Sequence, residues 1–219
     1  MPDRQPDIVP QNDLPLVVLG FAPGDKLVLK ALLAALPDLI DWAFVLCCTP
    51  EFAQPHVLRE IGQAAPQLSL REVVPGMSPE AGVLHVLTVD RDIVLAGGQF
   101  ARCDGPPSVE TRLERFLSSL AGRRPDRTFA LCLCDTANEG MSGLDRLHAS
   151  GGLVLLSPKP ALSVPDSIGE QCPVEDMPGR IVDRLENPVA GQVLAPAAER
   201  DGLRRILGLI GHDRHVDIN

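Results

Sequence analysis

The sequence predicts a three-layer α/β fold. A mostly parallel, doubly wound sheet would carry helices on both faces, with a small antiparallel hairpin as an insertion. Two observations predict this class. Short apolar runs typical of buried strands alternate along the chain with longer amphipathic segments typical of helices. The chain of 219 residues is also 45% hydrophobic, which is enough to bury one sizeable core.

The first third of the chain supplies three predicted strands and two predicted helices. Each strand is a short apolar run bounded by glycine, proline or polar turn residues, and each helix places its apolar residues on one face. In order, the predicted elements are a strand over Leu14–Gly20, a helix over Asp25–Leu36, a strand over Trp42–Cys48, a helix over Ala53–Ala65 and a strand over Leu68–Val73.

A hairpin is predicted next, from Val83–Val89 and Asp92–Ala96, because Asp90 and Arg91 separate two β-rich runs. Alternation of helices and strands then resumes. The later elements are a helix over Ser108–Ala121, with Ser108 and Thr111 placed to cap it, a strand over Phe129–Cys134, a helix over Met141–Ala149, a strand over Leu153–Leu156 and a helix over Pro178–Leu185.

Composition excludes several classes of function. The net charge of −9 argues against a nucleic-acid interface, and the 3% aromatic content disfavours base stacking. No apolar run is long enough for a transmembrane helix, and the polar start of the chain lacks the apolar centre of a signal peptide, so a cytoplasmic location is expected. In that compartment the six cysteines are expected to be reduced thiols, and no cofactor is expected.

Functional sites of such sheets form beyond the carboxyl ends of the strands. Three segments follow predicted strands there, namely Gly20–Gly24, Cys47–Pro50 and Cys134–Gly140. Their order and spacing resemble the catalytic domain of CheB-type chemotaxis protein-glutamate methylesterases. The family's Gly-Ala-Ser-x-Gly-Gly stands here as Gly20–Asp25, its Gln-His-Met-Pro as Cys47–Pro50, its Arg-Pro-Ser-Val-Asp as Pro106–Glu110, and its Gly-Met-Gly-x-Asp-Gly-x-x-Gly as Asp135–Gly143.

The resemblance implies a site of ester hydrolysis by a Ser-His-Asp triad, but the corresponding residues here are different. Serine, histidine and aspartate become Ala22, Cys48 and Glu139. An alanine methyl has no lone pair with which to attack, and a thiol cannot replace an imidazole as the base. On the oxyanion side the family's methionine becomes Thr136, and Pro23 removes a backbone N–H. The remaining expected pocket residues are Phe21, Cys134 and Asn138.

These losses favour a degenerate domain that acts as a binding or regulatory module in bacterial chemotaxis-type, two-component signalling. Its partner would be a chemoreceptor helix, another signalling domain or a second copy of the chain.

One alternative is an active methylesterase or amidase that uses Cys48 as a nucleophile. Its base would have to come from outside the motif positions, because His56 and His148 fall in predicted helices and His85 in the predicted hairpin. Another alternative is a small-ligand sensor that uses the old pocket.

Metal and phosphate sites are disfavoured. Adjacent strand residues point to opposite faces, so Cys47 and Cys48 are not expected to share a metal ion. The segment Gly20–Gly24 lacks the lysine and third glycine of a phosphate-binding loop.

The expected domain organisation has three parts. Residues 1–13 would be a flexible leader, residues 14–187 the CheB-like domain, and residues 188–219 a linker followed by a C-terminal helix. The run Leu203–Asp213 in that last part resembles the opening of CheR-type methyltransferase domains, so the chain would be the front part of a fusion or its remnant. An ordinary terminal helix is the alternative.

Overall fold

A computed structural model describes residues 14–20, 26–36, 41–88, 91–103, 112–133, 140–158 and 168–188, all within the unit Met1–Val189. The described strands are β1 Leu16–Gly20, β2 Ala43–Cys48, β3 Ser69–Glu72, β4 Val83–Thr88, β5 Ile93–Ala96, β6 Gln99–Arg102, β7 Thr128–Cys132, β8 Leu153–Leu156 and β9 Glu170–Gln171. The described helices are α1 Lys26–Ala34, α2 Pro55–Ala64, α3 Arg112–Ser119, α4 Met141–Ala149 and α5 Met177–Glu186.

Seven of these strands form one sheet in the order β3-β4-β2-β1-β7-β8-β9. Every pair in it is parallel, and β1 lies at the centre between β2 and β7. The inner strands are buried along their whole length, as expected for a sheet covered on both faces. The predicted α/β fold with a parallel sheet is therefore confirmed.

Two apolar cores lie on opposite faces of the sheet. The α1-side core contains side chains of α1, α2 and α5, including Leu29, Ile61 and Ile181. The α3-side core contains side chains of α3, α4 and the β5–β6 hairpin, including Phe116 and Leu144. Alternate residues of each inner strand enter alternate cores, because successive side chains of a strand point to opposite faces. The result is the three layers that the sequence predicts.

The antiparallel hairpin exists, but its first strand is not the predicted one. Val83–Val89 was expected to pair with Asp92–Ala96, whereas β4 pairs in parallel with β2 and β3. The hairpin is instead β5 with β6, joined by Gly97 and Gly98. Both glycines have positive φ, 58° and 80°, as a tight two-residue hairpin turn requires. The prediction of Val83–Val89 as a hairpin strand was wrong because β4 is buried on both faces, which suits an inner strand.

The hairpin is anchored on the α3-side core through Phe100. This side chain is fully buried, and its ring lies 6.4 Å from that of Phe116. Its backbone carbonyl accepts a 2.7 Å hydrogen bond from the N–H of Gly76, and its N–H donates to Met77 O over 2.7 Å. The hairpin is therefore fixed to the segment that links β3 to β4.

Several predictions fall on residues that the structure does not describe. The leader over residues 1–13, the linker and the C-terminal helix lie outside the described residues, as do Ser108 and Thr111 at the predicted start of α3. Within the described ranges, none of the helices has the length and apolar character needed to cross a membrane.

Candidate active site

The carboxyl ends of three central strands meet at one edge of the sheet. Gly20, the last residue of β1, pairs with Cys47 of β2 on one side and with Cys132 of β7 on the other. Just beyond β7, the N–H of Leu133 donates to Gly20 O over 2.8 Å. The predicted site segments over residues 20–24 and 134–140 therefore leave the sheet from neighbouring strands, at the same level.

Strand order reverses at this place. From β1 the chain continues through α1 to β2 on one side of the sheet, whereas from β7 it continues through α4 to β8 on the other side. The helices α1 and α4 belong to opposite cores. Such a reversal opens a crevice beyond the strand ends, which is the usual ligand site of doubly wound sheets. The crevice between β1 and β7 is thus the candidate site.

Among the predicted site residues, Cys48 is described by the structure. The other seven lie outside the described residues, in the segments that follow β1 and β7: Phe21, Ala22, Pro23, Cys134, Thr136, Asn138 and Glu139. Their flanking residues Gly20 and Gly140 are described, and these fix where both segments are attached to the fold.

Cys48 is the last residue of β2, and its side chain lies in the α1-side core. Only 1% of it is exposed, and its strand partner is Thr88 at the end of β4. A thiol in an apolar core ionises poorly, because burial penalises the thiolate. At the position where the resemblance places the family's histidine, this chain therefore carries a core thiol that solvent barely reaches.

Cys47 and Cys48 enter different cores. The Cys47 side chain lies in the α3-side core, and burial together with the neighbouring Cys48 raises the pKa of its thiol far above the usual range. The sheet therefore separates the two sulfur atoms, as the alternation of strand side chains predicts. Within the described part of the chain, no three His, Cys, Asp or Glu side chains cluster in a way that would hold a metal ion.

The described histidines are poorly placed to serve Cys48. His85 lies in β4 and not in the hairpin, which corrects its predicted position. Its ring is 5.3 Å from that of Phe100, in the α3-side core across the sheet from Cys48. His148 lies on α4, a helix of the same α3-side layer. His56 is the one described histidine in the layer of Cys48, but its side chain is exposed to solvent on α2, whereas the Cys48 thiol is buried in the core.

Burial keeps the His85 ring neutral. Its Nε2 accepts a 3.1 Å hydrogen bond from the N–H of Glu80, and its Nδ1 is buried with no hydrogen-bond partner among the described residues. Desolvation lowers the pKa of the imidazole to about 4, which the Glu80 carboxylate opposes and Arg71 reinforces. The side chain is therefore a structural part of the α3-side layer.

Thr49, directly after β2, is a residue that the sequence analysis did not single out. It follows Cys48 and begins a turn in which its carbonyl accepts hydrogen bonds from Phe52 and Ala53, at 3.0 and 3.2 Å. Its Oγ1 is buried and has no hydrogen-bond partner within the described ranges. A buried hydroxyl without a partner is costly, so it marks a place where a ligand or a water molecule would be favoured. No local sequence signal separates it from an ordinary turn threonine.

Two glycines next to the site have steric roles. Gly140 precedes α4 with φ +91°, a backbone conformation that favours glycine. At Gly143, within α4, a Cβ atom would lie 2.7 Å from Leu117 Cβ and 2.9 Å from Glu114 O. The two helices therefore pack at backbone distance, and a side chain at Gly143 would force α4 away from α3.

Comparison with known proteins agrees with this geometry. A family model described as CheB methylesterase matches residues 17–187. A search of curated proteins found no match. The crystal structure of the Thermotoga maritima CheB methylesterase catalytic domain has a similar fold, with a TM-score of 0.63 and 18% sequence identity, over 78% of this chain and 98% of that one. Because the family match spans most of the sequence, this chain belongs to the CheB methylesterase family.

Proposed function

We propose that this chain is a catalytically degenerate CheB-like methylesterase domain that acts by binding in bacterial chemotaxis-type signal transduction. Three of the family's chemical positions carry the proposal, because Ala22, Cys48 and Glu139 stand where the resemblance places serine, histidine and aspartate. Alanine supplies no nucleophile. Glu139 retains a carboxylate, but the position where the resemblance places the histidine that it would orient carries Cys48.

The observation that carries most weight is the burial of Cys48. A general base must reach the proton that it removes, and a nucleophile must reach the substrate carbon. The Cys48 thiol is 1% exposed and lies within the α1-side core. His85 and His148 belong to the layer on the other side of the sheet. A Cys–His pair built from these residues would require its two members to meet through the sheet.

The scaffold around the site remains intact although its chemical groups differ from those of the family. The close contact of Gly143 with α3 and the positive φ of Gly140 position the start of α4, which follows Glu139 in the sequence. This combination fits a domain that needs its surface and its fold but not hydrolysis. A chemoreceptor helix, a signalling domain or a second copy of the chain, in the cytoplasm, is the partner class that suits a family of this kind.

A hydrolysis assay tests the proposal directly. The full chain is incubated with a receptor peptide that carries glutamyl methyl esters, and methanol release is measured beside an active enzyme of the same family. We expect no release above that of a C48S variant, together with measurable binding of the unmethylated peptide. Steady release that the C48S variant loses would instead establish an esterase or amidase with Cys48 as its nucleophile.

A small-ligand sensor is the second candidate, and the buried hydroxyl of Thr49 favours it. A polar ligand bound beyond the end of β2 would accept or donate the hydrogen bond that this group lacks. Such a ligand would raise the melting temperature of the native chain, and the rise would shrink in a T49V variant, which keeps the shape but removes the hydroxyl. A metabolite screen without any shift would count against this candidate.

A further inference from the structure

We infer that a cleft beside the β5–β6 hairpin is an anion site that binds a carboxylate-rich segment of a protein partner. The inference goes beyond the proposed function, because the cleft lies outside the predicted triad positions and its charge does not depend on whether those positions hydrolyse an ester. The cleft has a volume of about 530 Å³. The described residues that line it are Pro75, Arg91, Asp92, Ile93, Arg102 and Cys103.

The position of the cleft follows from the fold. Arg91 and Asp92 come shortly after the end of β4, and Arg102 ends β6, where it pairs with Ile93 at the open end of the hairpin. The backbone N–H of Cys103 donates to Asp92 O over 3.0 Å and closes this end. Since the end of β4 pairs with Cys48 through Thr88, the cleft opens near the carboxyl edge of the sheet.

The charges of the cleft are unequal. Asp92 forms ion pairs with two arginines. Arg115 Nη2 lies 2.5 Å from Oδ1, and Arg112 Nε lies 3.6 Å from Oδ2. Arg91 forms an ion pair with Glu72 and donates to Val73 O over 3.2 Å. Arg102 is exposed and makes no ion pair with any described residue. Among the described residues, the two arginines that line the cleft and the two that pair with Asp92 outnumber the carboxylates of Asp92 and Glu72 by two, on a chain whose net charge is −9.

Carboxylates are the ligands that suit this arrangement. A guanidinium presents a planar fork of N–H donors that matches a carboxylate, and such charge-assisted pairs are stronger than neutral hydrogen bonds. The side chains of Arg91 and Arg112 are 43% and 49% exposed, so an incoming group can reach them. Asp92, which lines the cleft, holds Arg112 and Arg115 in place, and this reduces the entropy lost when an anion binds. The volume of the cleft admits one or two glutamate side chains of a docked segment.

Fluorescence anisotropy with a labelled glutamate-rich peptide tests the inference, with a glutamine-for-glutamate peptide of the same length as a control. We expect binding of the first peptide to the full chain and not of the second. The variant R102E should weaken binding by about tenfold or more, the cost of losing one charge-assisted pair and adding repulsion. R59E is the matched control, because Arg59 is exposed on α2 in the opposite layer and the same charge is reversed.

Three results would overturn the inference: no binding of the glutamate-rich peptide at low ionic strength, equal weakening by R59E and R102E, or binding of inorganic phosphate at the cleft with no competition from the peptide. The last result would assign the cleft to a free anion. Melting temperatures of both variants are measured beside the binding, and R102Q replaces R102E if the charge reversal lowers stability.

Discussion

Cys48 and His85 lie in neighbouring strands of one sheet, yet their side chains occupy opposite layers. The register that pairs Cys48 with Thr88 also pairs Val45 with His85, which places His85 on the other face of β4. The thiol therefore packs beneath α1 and α2, and the imidazole packs against Phe100 beneath the hairpin. This separation supports the first prediction.

We expect the Cys48 thiol to react slowly with iodoacetamide in the folded protein. Alkylation of a 1% exposed thiol requires local opening of the core, whereas the half-buried Cys103 borders a cleft, with its Sγ 3.9 Å from Arg115 Nη1. Peptide mapping by mass spectrometry would resolve the two rates, with a C103S variant identifying the faster one. Labelling of Cys48 as fast as that of Cys103 would remove the main support for a degenerate site.

Restoring two triad residues should not restore the enzyme. The double variant A22S/C48H supplies serine and histidine, but Thr136 and Pro23 remain at the positions where the resemblance places the oxyanion side. An imidazole at position 48 must also enter the packed α1-side core, at a cost of about 1–3 kcal/mol for an oversized side chain. Methanol release and urea unfolding would be measured together. Release at the rate of an active family member, from a stable variant, would refute this reasoning.

Stability should fall as the pH falls from 6.5 to 4, through His85. Its pKa is lowered to about 4 by burial, whereas the unfolded chain binds the proton near pH 6.5. The unfolded state therefore holds more protons within this window, so acidification favours unfolding. By pH 4 the free energy of unfolding would be lower by up to about 3 kcal/mol.

An H85Q variant keeps an acceptor for the Glu80 N–H but does not titrate in that window. Its free energy of unfolding, measured in urea at several pH values, should have the smaller pH slope. H56Q removes an exposed histidine of α2 and serves as the control, with an expected slope like that of the native chain. Equal slopes for the native chain and H85Q would show that the acid sensitivity arises elsewhere.

Two glycine-to-alanine variants should change stability in opposite directions. In G143A the new Cβ would lie 2.7 Å from Leu117 Cβ, so the α3–α4 contact must open, at a cost of about 1–3 kcal/mol. In G179A, on the exposed face of α5, the new Cβ meets nothing within 4 Å, and alanine is the better helix former by about 0.5–1 kcal/mol. Urea unfolding of both variants measures the difference. A G143A variant as stable as the native chain would contradict the close packing.

The sequence predicts inner elements well where local pattern and burial agree. Met141–Ala149 and Leu153–Leu156 occur with the predicted bounds, since each combines a clear apolar pattern with a glycine boundary at residues 151 and 152. The strand Glu170–Gln171 was missed, because two exposed polar residues carry no pattern. The partner of Val83–Thr88 was assigned wrongly for a different reason. Parallel pairing with β2 joins residues far apart in sequence, whereas the sequence analysis chose the nearest β-rich run.

At the candidate site, the sequence correctly identified Gly20 and Cys48 as strand ends, whereas β7 ends at Cys132 and not at the predicted Cys134. It did not predict how deeply Cys48 is buried. Cys48 was expected to line a pocket, and its side chain belongs to the α1-side core. That depth is set by how α1 and α2 pack over β2, which is a tertiary relation without a local signature. The missing hydrogen bond of the Thr49 hydroxyl was equally invisible, because it depends on what surrounds the turn.

The close approach of α4 to α3 affects how this family should be recognised from sequence. Gly140 and Gly143 belong to the motif that identifies a chain as a relative, and here both are explained by backbone conformation and helix spacing. Selection for a folded protein alone would preserve them after every catalytic group had been replaced. The glycine pattern therefore diagnoses ancestry, and a genome survey that counts esterases by it would also count any member that had lost its catalytic groups.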